Sequence, residues 1–155
     1  MTDSPLQYTF DSINIGINHE FKMTITEKIV SDFSIISGDF NPLHMDEKYA
    51  TKTKFKKRIC HGMLLASFFS RLVGMYLPGK NALYFSQILN FISPCFINDK
   101  ITIKGEIIDK NYATKIITVK TSIINQKNEL ILDGEAKVMM IDDNYKRSNL
   151  NLKIK

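Results

Sequence analysis

Asp39 and His44 lie five residues apart, with Gly38 before the acid and Pro42 between them. An aspartate and a histidine on one short segment can be aimed at the same point. Such a pair can hold a water molecule and exchange protons with it, because histidine titrates near neutrality. The spacing taken by itself is weak, since most Asp/His pairs on loops do nothing. A second candidate is the pair His61-Gly62, which opens a long apolar segment. The first amides of a helix have no partner within it, and its dipole favours negative charge there. A glycine at that point lets a ligand atom approach the backbone. That is the profile of a site that stabilises charge on a carbonyl oxygen. Tight helix packing would explain Gly62 equally well. His61 reads as a capping or supporting group rather than a catalytic one. The third histidine, His19, is read as a surface residue on the polar side of a strand.

Other chemistries lack their signatures. There is no G-x-S-x-G, no phosphate-binding glycine loop, no dinucleotide fingerprint and no zinc-type His/Cys spacing. No metal or cofactor is expected. Cys60 and Cys95 form neither a C-x-x-C motif nor a disulfide framework, and read as buried free thiols in a reducing compartment.

These candidates need elements to hold them. Phe21, Met23 and Ile25 alternate with polar residues over His19 to Thr26, a half-buried strand. Thr26 can cap a helix from Glu27 to Ser37 with Ile29, Val30, Phe33 and Ile36 on its apolar face, ended by Gly38. Asn41-Pro42 predicts a loop through His44, and Asp46 can cap a short helical turn. His61 to Leu77 reads as a helix buried on every side, ended by Pro78-Gly79. Beyond it come a β-rich run over Leu83 to Ile92 and three alternating strands, with a turn at Asn125 to Asn128. The simplest packing is α+β: an antiparallel sheet wrapped around one buried helix.

The 155 residues suit one domain, 1–155, with a core from about residue 19 to 141 and a basic tail over 144–155. The formal charge is +5. Lys54, Lys56, Lys57 and Arg58 crowd one segment, which attracts an anionic partner unless it is simply a solvated face. No recognition helix or stacking-aromatic pattern accompanies it, so nucleic acid is not expected. Met1 to Phe10 carries no secretory pattern, and the long apolar segment is interrupted by His61, Ser67, Ser70 and Arg71. Neither a membrane span nor export is expected, which leaves a cytoplasmic protein.

The run Ser37-Gly38-Asp39-Phe40-Asn41-Pro42-Leu43-His44-Met45-Asp46 resembles the hydratase-2 motif of the MaoC-like, R-specific enoyl-CoA hydratases. His61-Gly62-Met63-Leu64-Leu65-Ala66-Ser67-Phe68-Phe69-Ser70 is similar to the start of that family's central helix. The resemblance covers roughly Phe21 to Met140 and rests on both motifs together. It implies a hotdog fold, commonly a homodimer, that hydrates trans-2-enoyl thioesters to (R)-3-hydroxyacyl thioesters. It makes Asp39 and His44 the water-binding pair and the Gly62 amide the oxyanion donor. It casts Asn41 and Ser70 as supporting residues, with Ser67 a competitor for the serine's role. The substrate would be an acyl-CoA or an acyl-carrier-protein thioester. The alternatives are a 3-hydroxyacyl-carrier-protein dehydratase of fatty-acid synthesis and a non-catalytic module that only binds acyl thioesters. Relatives often carry a proline near the position of Arg58, where this chain departs.

Overall fold

The computed structural model describes residues 4–141, so the expected basic tail over 144–155 lies outside the described residues. Five antiparallel strands form one sheet: β1 (Asn18–Thr24), β2 (Ala82–Phe91), β3 (Lys100–Asn111), β4 (Ile116–Ile124) and β5 (Leu130–Met140). Their order across the sheet is β1-β3-β4-β5-β2. The two edges are therefore the strands that flank the helical half of the chain. Between β1 and β2 lie α1 (Glu27–Ser37), α2 (Pro42–Met45), α3 (Glu47–Ala50) and α4 (Gly62–Arg71).

The sheet curls around α4, as the alternation of its strands requires. Ile101, Ile103, Ile123 and Leu132 point inward and meet Leu64, Leu65, Phe69 and Leu72. A second cluster, from Phe10 and Val73 to Ile107, Val119 and Val138, continues the core. Gly105 permits a close approach of the helical segment to the sheet, since a Cβ there would lie 2.7 Å from the Leu72 side chain. Gly134 does the same within the sheet. A Cβ on it would sit 1.8 Å from the carbonyl oxygen of Ile88 on β2.

The central helix departs from the sequence expectation in two ways. It is α-helical only over Gly62–Arg71, and Leu72–Tyr76 forms a π-helical turn. It is also not buried all round. Met63 is 57% exposed, and Ser67, Ser70 and Arg71 face outward. The sheet covers one side of the helix, and these four residues are the stripe it leaves open.

Helix α1 begins and ends where expected, with the Thr26 hydroxyl accepting from the Ile29 amide and Gly38 in the left-handed region at φ 76°. Ile29, Val30 and Phe33 face the core as expected, joined by the buried Ser34, whereas Ile36 points to solvent. His19 also departs from expectation. It shares the inner-face parity of Phe21, and its ring stacks on Tyr76 at 3.9 Å between centroids. Burial, followed by the charge of Arg71, lowers its pKa.

Candidate active site

The turn between α1 and α3 is built from local hydrogen bonds. Gly38 ends α1 with its amide on the Ser34 carbonyl, which turns the chain out so that Asp39 starts a new direction. The Asp39 carboxylate accepts from the Asn41 amide at 3.1 Å. Asn41 in turn caps α2, its side-chain oxygen accepting from the Leu43 amide at 2.9 Å. His44 consequently sits on a short helix and not on a loop. The Asn-Pro pair restricts Asn41, whereas proline at the first helical position costs nothing. Asp46 caps α3, as its place in the sequence suggests.

Two histidines meet at this turn. His44 Nδ1 lies 2.8 Å from the carbonyl oxygen of Ile59. A carbonyl only accepts, so Nδ1 carries a proton, and in the neutral ring the lone pair lies on Nε2. His61 is 2% exposed and its ring lies 4.0 Å from that of His44. Its Nε2 is 3.0 Å from the backbone oxygen of Asp39 and 4.0 Å from the Asp39 carboxylate. Its Nδ1 has no hydrogen-bond partner. The arrangement is least costly with the proton on Nε2, donated to Asp39, and the buried Nδ1 left as a bare acceptor. Burial is the main cause of a lowered pKa for His61. The ring therefore stands neutral beside His44.

Asp39, His44 and His61 each present an atom within 4.8 Å of the others, a spacing that could bridge a metal ion.

His44 and Gly62 face a cavity of about 540 Å³ whose walls are largely apolar, with Phe55, Met63, Phe91 and Pro94 among them. Gly62 opens α4, and a Cβ there would lie 2.6 Å from the Phe91 ring. The absent side chain is thus what lets Phe91 lie over the helix start. The N-cap residue His61 makes no side-chain cap, so its place is with Asp39 and not at the helix end.

The remaining expected residues divide. Lys54 lines the cavity, and Lys56 and Lys57 are exposed nearby. Arg58 is a correction to the basic cluster. Its side chain is 15% exposed and ion-paired with Glu27 and, at 3.3 Å, with Glu47. It fastens three elements together and offers no free charge to a ligand. Ser67 and Ser70 also fall elsewhere in this chain. They line an apolar groove with Met63, Tyr84 and Leu89, and among the described residues no hydrogen bond joins either serine to Asp39 or His44. The serine beside the Asp39 turn is Ser34, fully buried, with its Oγ 3.5 Å from His61 Nε2. A polar residue on the inner face of α1 was the signal that could have found it.

The MaoC like domain matches residues 11–128, and the chain belongs to that family. It is 39% identical over 129 residues to the (R)-specific enoyl-CoA hydratase of Aeromonas caviae, covering 83% of this chain and 96% of that protein. It is 35% identical over 114 residues to the mitochondrial 3-hydroxyacyl-[acyl-carrier-protein] dehydratase of Arabidopsis thaliana, covering 72% of this chain and 68% of that protein. A solved structure of an (R)-hydratase from A. caviae superposes with a TM-score of 0.81 at 39% identity, covering 83% of this chain and 98% of that chain. The architecture is the hotdog fold of these relatives.

Proposed function

We propose that this protein adds water across the double bond of a trans-2-enoyl thioester, carried by coenzyme A, to give an (R)-3-hydroxyacyl thioester. The observation that carries this reading is the His44 ring, held through Nδ1 by the Ile59 carbonyl beside the Asp39 turn, with its Nε2 left free, at a cavity that Gly62 also lines.

In this reading Asp39 and His44 hold one water between them. Its oxygen attacks C3 while the pair takes one proton, and a proton is returned to C2. Negative charge moves onto the thioester oxygen, opposite the Gly62 amide. The two residues act as one coupled unit, so the proton belongs to the pair. His61 and Ser34 keep the turn in place, and Asn41 caps the helix that carries His44. The apolar cavity takes the acyl group, and no metal or other cofactor enters.

The reverse reaction on carrier-protein thioesters is a second reading, favoured by the plant dehydratase among the relatives. It uses the same residues, because the equilibrium and not the site sets direction. Lys54, Lys56 and Lys57 suit the anionic carrier in either case. We read the free edge of β2 as the interface of a homodimer. Among the described residues no helix is long and apolar enough to cross a membrane, and two free cysteines fit a cytoplasmic location.

Loss of enoyl absorbance with crotonyl-CoA and longer enoyl-CoAs tests the assignment. Asp39→Ala and His44→Ala are each expected to cost at least ~100-fold in turnover. Asp39→Asn should be nearly as damaging, since charge and not volume is required. Near-wild-type hydration by both alanine variants would defeat the reading.

A further inference from the structure

Cys60 and Cys95 face each other across the wall of the cavity. Ile59 and Phe96 form an isolated antiparallel bridge. The next pair along it is Cys60 and Cys95, joined by a hydrogen bond from the Cys60 amide to the Cys95 carbonyl at 2.8 Å. Residues opposed in this way stand about 5.5 Å apart at Cα, which is within the range a disulfide spans. Cross-strand partners also project to the same side of the ladder. Both residues are buried, at 4% and 2% exposure, yet both line the cavity, where a small molecule can reach them. The Cys60 thiol beside it and burial both raise the pKa of Cys95, and the Cys95 thiol donates to the Phe96 carbonyl oxygen at 3.9 Å.

We propose that Cys60 and Cys95 form a peroxide-sensitive dithiol site that closes to an intramolecular disulfide. The Cys60 sulfur attacks one oxygen of hydrogen peroxide and releases water, leaving a sulfenic acid. The Cys95 sulfur then attacks the Cys60 sulfur, and the departing hydroxide takes the Cys95 proton and leaves as a second water. Two thiols and one peroxide become one disulfide and two waters, with the sulfurs oxidised and the peroxide reduced.

The bond bears on the active site through the chain on either side of Cys60. Ile59 supplies the carbonyl that holds His44, His61 holds Asp39, and Gly62 supplies the first amide of α4. Opposed residues have Cβ atoms about 4.5–5.5 Å apart, and a disulfide draws them to roughly 3.8 Å. Closure therefore pulls the stretch 59–62 toward Pro94 and displaces all three groups at once. Misplacement of about 1 Å costs on the order of 100-fold in a positioned reaction. A fall of 10-fold or more in hydration is expected. That fall rests on the function proposed above; the cross-link does not.

The test treats the purified full chain with hydrogen peroxide, alkylates the remaining thiols and maps the digest by mass. The chain has two cysteines, so a link within one chain has one identity. A Cys60–Cys95 linked peptide that appears in step with the loss of hydration, and both reversed by dithiothreitol, is the expected result. Cys60→Ser and Cys95→Ser should each abolish the linked peptide, and whichever variant folds less well leaves the other to decide. Two thiols still open to alkylation, higher oxidation of one cysteine without a link, or a link only between chains would overturn the site. A linked enzyme with unaltered hydration would overturn its coupling to the active site. A preparation without hydration before treatment refutes the proposed function, and the mass map still decides the dithiol.

Discussion

His61 is neutral because it is buried, and that sets a pH dependence for the fold. Its folded pKa lies below the ordinary 6.5, with desolvation the first cause. As pH falls through about 6.5, an unfolded chain takes up the proton first, and the folded state loses stability until its own pKa is passed. The contribution is full above about 6.5. The melting temperature is therefore expected to drop between pH 7 and pH 5, and His61→Gln should flatten that drop. His19, also lowered by burial, contributes with the same sign, so His19→Gln is the comparison. A pH profile unaltered by both changes would show that neither ring is desolvated. At this scale the pairing of Asp39 with His44 on one turn was legible, because those residues are close in sequence, and His61 was read as a supporting group. Ser34 was not foreseen, since its meeting with His61 depends on α1 lying beside the start of α4.

Between α3 and α4 the chain has no regular secondary structure beyond one isolated bridge, yet it is pinned. Arg58 pairs with Glu27 at the start of α1 and Glu47 at the start of α3, and its guanidinium lies 3.5 Å from the Met45 carbonyl at the end of α2. Removing it leaves two carboxylates without their shared partner, and both are more than half exposed. Exposed pairs are worth ~0.2–1 kcal/mol and breaking buried ones costs ~3–5. This mixed case should fall at about 1–3 kcal/mol for Arg58→Ala in urea unfolding. A change indistinguishable from zero would return Arg58 to the anion-attracting cluster in which its sequence neighbours placed it. That error has a plain cause. A run of basic residues shows its own charge, but its acidic partners lie far off along the chain. The strands, by contrast, were readable nearly to their ends, because alternation is a local pattern that a one-sided sheet imposes residue by residue. The π-turn at Leu72–Tyr76 left no such local trace.

For the molecule as a whole, β2 is an edge strand with Phe85, Ile88 and Phe91 largely exposed. An apolar edge is an invitation to pairing, and the groove beside it exposes Met63 as well. Light scattering at micromolar concentration should report a dimer, and an active monomer would count against the interface. The open flank of α4, unforeseen from its apolar composition, falls next to this edge. The basic segment acts at the same scale. Lys54, Lys56 and Lys57 take part in no ion pair among the described residues. Replacing all three with glutamine should raise KM several-fold at low ionic strength and leave turnover nearly unchanged. The difference should shrink in high salt, and an unchanged KM would make the cluster a solvated surface.

Gly134 lies in mid-strand on β5, far from any reacting atom, and yet it has no neutral alternative. Even alanine would place a carbon 1.8 Å from the Ile88 oxygen, and Gly79 is confined in the same way by the backbone of Leu6. In evolutionary terms such positions are frozen by geometry. A lineage of this chain could drift at most surface sites while these two stayed fixed, as invariant as any catalytic residue. Invariance across descendants would then mark two different things, and only comparing protein abundance with turnover, variant by variant, would tell the scaffold from the catalyst.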